Sequence, residues 1–561
     1  MKRLQHVTGW LAVFILVVLA GCSDTQNAVQ NEALNEAQNE AQNEAQSESS
    51  AAEESAKADA SVRSHIDEQP SNVYYEIFVR SFYDSNGDGI GDLNGIIEKL
   101  DYLNDGDPDT DTDLGIEGIW LMPINPSPSY HGYDVTDYYD IHPEYGTLED
   151  FKRLTEEAQK RGIKVIMDLV VNHSSSQHPW FIESMNPDSP YRSWYTWKPE
   201  DEAVDITNAA GSGNPWKTVG DSKYLGIFWE GMPDLNLDNP EVRAEMIKIG
   251  QFWLELGVDG FRLDAAKHIF QNTQSEVKNE KMLAKNIEWW NEFRAGMNEA
   301  NPEAYIVGEI WENSPVLIAP YLEPFDSGFN FGLAETLVDM ANNERGADLG
   351  FSIARAYNLF EKTSGGRFID APFLTNHDQQ RVMSTLNGNV DRAQIAASLL
   401  LTVPGNPFIY YGEEIGMLGM KPDEFIREPM LWYEATGAGQ TTWEPTRHNQ
   451  DTPSVELQMN DPESLLSHYR TMIRWRNETT ALRNGSIADY PSDNDKVTVF
   501  IRMTNEERVL VVHNMSGEEQ KLTLRDRNEF GNILLSNKSG SAIEQDGITL
   551  TIPPYGSIVL Q

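Results

Sequence analysis

Four apolar runs in this chain each stop at a carboxylate. They read Val165-Ile-Met-Asp-Leu-Val-Val-Asn-His173, Gly257-Val-Asp-Gly-Phe-Arg-Leu-Asp264, Ile306-Val-Gly-Glu309 and Phe373-Leu-Thr-Asn-His-Asp378. Several carboxylates gathered in one pocket are the equipment for cleaving a glycosidic bond, one ionised as the nucleophile and one holding a proton about 5 Å away. A single Asp after a strand is often only a helix N-cap; four such segments in succession make that account weak. Arg262 precedes Asp264 by two residues, so on a strand the two side chains point the same way. The guanidinium is then expected to depress the Asp264 pKa and keep the nucleophile charged. Glu309, followed closely by Trp311, suits the acid, which needs partial burial and nearby negative charge to hold its proton. Asp378, flanked by His377, is placed to grip sugar hydroxyls and favour an oxocarbenium-like transition state.

The elements that must position these groups follow from the same runs. A parallel barrel presents its chemistry at the C-terminal ends of its strands. Strands are predicted at Val73–Val79, Gly118–Pro123, Val165–Val171, Gly260–Leu263, Tyr305–Gly308 and Phe373–Thr375, with another near Pro407–Tyr411. Helical patterns lie between them, at Gly95–Leu103, Leu148–Arg161 and Glu241–Leu256. That alternation indicates βα units, and the expected fold class is α/β, a (β/α)8 TIM barrel over residues 71–173 and 239–485. Residues 174–238 are rich in Trp, Pro, Ser and Gly and poor in period, as expected of a functional insertion. From residue 486 to 561 short alternating strands, among them Lys496–Arg502, Arg508–His513 and Gly547–Ile552, predict a C-terminal antiparallel β-sandwich.

Composition narrows the partners. With 43 basic against 88 acidic residues the formal charge is −45, which repels phosphates and makes nucleic acid an unsuitable partner. Such a surface is expected to stay soluble and monomeric; adaptation to salt accounts for it equally well. Fourteen Trp and 21 Tyr exceed what a core of this size needs, and aromatic rings stack on the apolar faces of sugars. The only cysteine is Cys22, so an intrachain disulfide and a thiolate metal site are both excluded. It follows a basic Met1-Lys2-Arg3 and an apolar Leu11–Val18 in Leu19-Ala20-Gly21-Cys22. Residues 1–22 thus look like a bacterial lipoprotein signal, with Cys22 acylated and the mature chain tethered to the outer face of a membrane. Residues 23–69 are low-complexity, repeating Asn-Glu-Ala-Gln at 35–38, 39–42 and 43–46; with almost no apolar content beyond Ala they read as a disordered hydrophilic tether.

Taken together the carboxylate segments resemble those of the α-amylase family, glycoside hydrolase family 13, over roughly residues 71 to 561. The resemblance implies Asp264 as nucleophile, Glu309 as acid/base and Asp378 as transition-state stabiliser. It places Tyr133, His173, Arg262 and His377 around the sugar at the cleavage point, with Asp168 in support. It implies that residues 174–238 form domain B and the sandwich domain C, and that Asn172 matches a position binding calcium between barrel and domain B in many amylases. Met232-Pro-Asp-Leu-Asn236 is similar to the signature of an intermediate group between oligo-1,6-glucosidases and neopullulanases, which some lipid-anchored bacterial α-amylases resemble. Lys267 and His268 match residues holding glucose on the leaving-group side, which favours cutting α-1,4 bonds within starch or maltooligosaccharides. Asp134 and Arg427 look like the pair with which exo-acting α-glucosidases grip a non-reducing end, which favours exo-action. Transglycosylation is a further outcome of the same covalent chemistry.

Asp84-Ser-Asn-Gly-Asp-Gly-Ile-Gly-Asp92 alternates oxygen ligands with glycine. Asp84, Asn86, Asp88 and Asp92 with the Ile90 carbonyl suit a hard cation such as Ca²⁺. The loop is similar to the calcium loop after the first strand of oligo-1,6-glucosidase-like enzymes; a plain Asx-rich turn is the other account.

Overall fold

A computed structural model describes residues 71–561 apart from 209, 211, 212, 271–278, 436, 526–528 and 545–546. The expected signal segment, Cys22 and the tether lie outside the described residues. The strands up to residue 410 are β1 (Tyr74–Ile77), β2 (Gly118–Leu121), β3 (Lys164–Leu169), β4 (Trp197–Pro199), β5 (Trp216–Val219), β6 (Ser222–Leu225), β7 (Gly260–Leu263), β8 (Tyr305–Gly308), β9 (Ser327–Gly328) and β10 (Phe408–Tyr410).

Seven of them form one parallel sheet in the order β10-β1-β2-β3-β7-β8-β9. Their residues are buried on both faces almost without exception, which is why they read as near-continuous apolar runs. Two isolated parallel bridges, Phe329 to Ala371 and Phe373 to Phe408, join the sheet's two edges through residues 371–373. The predicted strand at Phe373–Thr375 is therefore reduced to single bridges that close the barrel. β9 was not anticipated, since two residues carry no period.

Period-two alternation sorts the strand side chains. Tyr74, Trp120, Ile166, Tyr305, Val307, Phe329, Phe373 and Phe408 fill the barrel interior as one apolar cluster, with Tyr74 stacked on Phe408 at 4.8 Å and on Tyr305 at 5.4 Å. Tyr75, Ile77, Ile119, Leu121, Val165 and Met167 belong to a second cluster shared with the surrounding helices. Two residues further along, the inward positions change character: Glu76 on β1, Asp168 on β3 and Arg262 on β7 are polar and almost fully buried. Asp168 pairs in register with Arg262, so the chemistry begins one layer above the apolar plug.

Between β3 and β7 the chain leaves the barrel. The helix Pro179–Ser184 and the antiparallel sheet β4-β6-β5 occupy this stretch, anchored to the barrel side by the bridge from His173 to Asp234 and by the Leu235 N–H on the Asn172 carbonyl at 2.8 Å. Beyond the helix Leu465–Glu478 come β11 (Ser486–Asp489), β12 (Val497–Met503), β13 (Arg508–Asn514), β14 (Gln520–Thr523), β15 (Ile533–Ser536), β16 (Ala542–Ile543), β17 (Thr549–Ile552) and β18 (Ser557–Leu560). They form two antiparallel sheets, β11-β12-β13-β18-β15 and β14-β17-β16, around their own core of Val499, Leu510, Val512, Leu550, Ile552 and Ile558. Buried Arg502 ties this unit to the barrel through the Thr402 and Gly485 carbonyls, and His513 meets the Thr402 hydroxyl at 2.9 Å.

Candidate active site

At the C-terminal end of the barrel the Arg262 guanidinium gathers three carboxylates. One terminal nitrogen donates to Asp168 at 2.5 Å and to Asp264 at 2.6 Å, and the other meets Glu309 at 3.0 Å. Asp264 and Glu309 are thus neighbours on one planar cation, the closeness that a retaining pair requires. Glu309 also accepts the backbone N–H of Ala265 at 2.8 Å. Ala265 takes up the left-handed conformation, φ +47°, uncommon for a residue with a side chain. The turn right after Asp264 thereby aims an N–H at Glu309.

Asp168 is held from three sides, by Arg262, by the Trp120 indole N–H at 2.9 Å and by the Tyr133 hydroxyl at 3.3 Å. It supports Arg262 rather than facing the cavity. Asp378 accepts from Arg427 at 2.9 Å and pairs with His377 Nε2 at 3.1 Å. The same His377 nitrogen lies 2.6 Å from the Tyr133 hydroxyl, and its Nδ1 is bonded to Glu76. Glu76, inward on β1 and 1% exposed, was not anticipated; a carboxylate inside a run of large apolar residues was its one signal.

These contacts set the charges. Burial pushes the Asp264 carboxyl up; Arg262 pulls it back without restoring the ordinary value. The expected depression is therefore not realised, because desolvation exceeds the attraction of one guanidinium shared with two other carboxylates. Burial also raises Glu309, opposed by Arg262 and reinforced by Asp264 and Asp378. Asp264 receives a hydrogen bond from Arg262 and Glu309 one from the Ala265 N–H, each opposing the burial that favours the protonated form. Burial would raise Asp378, but His377 and Arg427 outweigh it and hold it far below the carboxylate range. For His377 burial works against the charge, and Asp378 and Glu76 prevail, raising it to about 9.

A cavity of about 530 Å³ opens over these groups. Asp264, Glu309, Asp378, Tyr133, His173 and Arg427 line it, and Lys267 and His268 continue its wall. His173 Nε2 and His268 Nδ1 are buried without a protein partner among the described residues. Burial lowers His173 to about 4 and His268 to about 3, so both stay neutral at neutral pH. Lys267 donates to the Trp311 carbonyl at 2.7 Å and pairs with Glu312 at 3.0 Å, clamping the turn after Asp264 to the turn after Glu309. Trp229 and Trp311, 43% and 41% exposed, are the exposed tryptophan faces on this wall; Trp311 was marked by its place just after Glu309, whereas nothing in the sequence singled out Trp229.

The Asp134 carboxylate accepts from the Ser127 and Ser129 hydroxyls and is absent from the cavity wall, whereas Arg427 lines the cavity and turns to Asp378 and Asp423. Asn172 spends its amide on the His268 carbonyl and on His173 Nδ1, joining two loops directly. Among the described residues no cluster of three or more His, Cys, Asp or Glu side chains is gathered for a metal. In the loop 84–92, Asp84 accepts the N–H groups of Asn86, Gly87 and Gly89, Asn86 that of Asp88, and Asp88 that of Ile90. Asp92 caps the helix Leu93–Leu103 through the Gly95 N–H and also accepts from Ser85. Every ligand candidate is thus preset by backbone bonds, leaving an all-oxygen donor set of the chemistry a hard cation takes.

The comparisons agree with this geometry. The sequence family described as "Alpha amylase, catalytic domain" matches residues 76–485, and "Alpha-amylase SusG C-terminal domain" matches residues 497–559. The chain is 42% identical to Alpha-amylase 3 of Dictyoglomus thermophilum over 87% of its own length and 93% of that relative. It is 32% identical to an oligo-1,6-glucosidase of Parageobacillus thermoglucosidasius, over 81% and 91% respectively. Among solved structures the α-amylase from H. orenii superposes with a TM-score of 0.80 at 47% identity, covering 88% of this chain and 99% of that one. The chain belongs to the α-amylase family of glycoside hydrolases.

Proposed function

We propose that the enzyme is a retaining, endo-acting α-amylase that cuts α-1,4-glucosidic bonds in starch and maltooligosaccharides. In the first step the Asp264 carboxylate bonds to the anomeric carbon as the glycosidic C–O bond breaks, and Glu309 gives its proton to the departing oxygen. In the second, Glu309 takes a proton from water, whose oxygen displaces Asp264 and releases the product. Asp378, kept ionised by His377 and Arg427, grips the sugar hydroxyls and adds negative charge beside the oxocarbenium-like transition state.

The observation carrying the endo reading is that the cavity runs past both carboxyls to Lys267 and His268, while Asp134 is occupied elsewhere by Ser127 and Ser129. The product profile on soluble starch tests this: rapid loss of iodine staining with mixed oligosaccharides is expected, and little turnover of a chromogenic monoglucoside. Glucose as the sole product would instead establish an exo-acting α-glucosidase.

Two further parts of this reading concern setting. The loop 84–92 would hold Ca²⁺ through Asp84, Asn86, Asp88, Asp92 and the Ile90 carbonyl, in support of stability. The lipoprotein-like segment ending at Cys22 would keep the enzyme at the outer face of a bacterial membrane, where starch is met.

A further inference from the structure

A second cavity, about 760 Å³ in volume, lies on the inserted β4-β6-β5 sheet, and Trp229 lines both it and the active cavity. From that shared wall we infer that the glucan path continues over Trp229 into this second cavity, which binds the distal part of the α-glucan chain whose bond is cut at Asp264.

The composition of the cavity fits a sugar chain. A glucose ring presents an apolar C–H face edged by hydroxyls, and is met by a flat aromatic surface with polar groups at its rim. The floor is Phe181 and Tyr224, buried and packed edge-to-face at 4.8 Å. Trp216 and Trp229 supply broad ring surface, with Lys217 and Glu230 beside them. Both indoles are fixed. Trp216 donates its ring N–H to the Asp205 carbonyl at 3.0 Å. Trp229 lies so close over Gly231 that a methyl there would come within 2.2 Å of the ring. A prefixed ring loses little freedom when it stacks on a ligand.

Phe228, the neighbour of Trp229, meets His173 at 5.3 Å and His268 edge-on at 6.3 Å. The wall shared by the two cavities thus abuts both histidines of the active cavity of the proposed function, on which this inference rests. The occupant is the substrate chain itself, because Trp229 is common to the walls of the two cavities.

Trp216 touches only the distal cavity, so Trp216→Ala separates the two. The readout is the ratio of kcat/KM on amylose to kcat/KM on maltotriose, a trisaccharide too short to fill both cavities. The expected result is a roughly fivefold fall in that ratio, with Trp216→Tyr restoring most of it. An unchanged ratio, or an equal loss on both substrates, would overturn the inference. Failure of the endo reading is separate, since it is read from the wild-type products on starch.

Discussion

At the residue scale the site is a competition for one guanidinium. Arg262 is shared by Asp168, Asp264 and Glu309, so the roles of the two reacting carboxyls depend on small differences in what each receives. Glu309→Gln removes the proton donor while keeping the Ala265 hydrogen bond to the side-chain oxygen. Hydrolysis of maltooligosaccharides should fall by roughly 10²- to 10⁴-fold with an unchanged melting temperature; turnover near the wild-type rate would reject the assignment. Glu76 acts one step back. His377 carries its charge because Asp378 and Glu76 flank the two ring nitrogens. The Tyr133 hydroxyl and the Trp120 ring are its remaining close neighbours, and Arg427 binds its carbonyl. Glu76→Gln removes one of the two flanking charges, so His377 should lose its proton below its present value of about 9. The His377 ring resonances should titrate at lower pH in the variant, with the rate at pH 6 little changed. A His377 titration that does not move would make Glu76 merely structural. His377 and Asp378 were legible because they end an apolar run; Glu76 was not, because nothing in the sequence says which inward residue of β1 reaches the other side of the barrel.

At the element scale the sequence spoke most clearly where a strand ends in a charge. Arg262 and Asp264 were placed on one face by strand alternation, and they share a hydrogen bond. What alternation could not supply was depth: both are buried beneath the loops, and that desolvation reversed the expected direction of the Asp264 shift. The segments that escaped notice, β9 and the bridging Ala371, are too short for any period to register, and they are held by their neighbours rather than by their own composition. The loop 84–92 is the opposite case, an element whose pattern is plain and whose occupancy is the question. Its carboxylates accept backbone N–H groups, and a cation would add to the bonds that shape it. Removing calcium with EDTA should lower the melting temperature by several degrees, a stabilisation of about 1–3 kcal/mol set by mass action. Added Ca²⁺ should restore it, and Asp88→Ala should abolish the response. A melting temperature indifferent to both treatments would leave the loop as a turn alone.

At the scale of the whole molecule, buried titratable groups and surface charge act together on stability. Burial raises Asp234 to about 8 and Glu413 to about 8. A carboxyl raised in the folded state binds its proton more tightly there, so its contribution is whole below the unfolded value near 4 and is lost as pH climbs through about 8. His377, raised to about 9 despite its burial, contributes fully below its unfolded value near 6.5 and loses that contribution through 9. His173, His178 and His468, lowered to about 4 by burial, act with the other sign. Their contribution is present above about 6.5 and is lost as pH falls toward 4. Between 4 and 6.5 the buried histidines and carboxyls therefore oppose one another, and above 6.5 the carboxyls and His377 all pull the same way. The formal charge of −45 adds self-repulsion in that same range, and salt weakens it because the Debye length contracts to about 3 Å at 1 M. The melting temperature should accordingly change little from pH 5 to 6.5 and fall steadily from 6.5 to 9. One molar NaCl should recover the surface part of that loss and leave the buried part, so the slope against pH persists at high salt with a smaller magnitude. A melting temperature that rises from pH 6.5 to 9, or a slope that salt removes entirely, would show that the buried groups do not govern stability in this range.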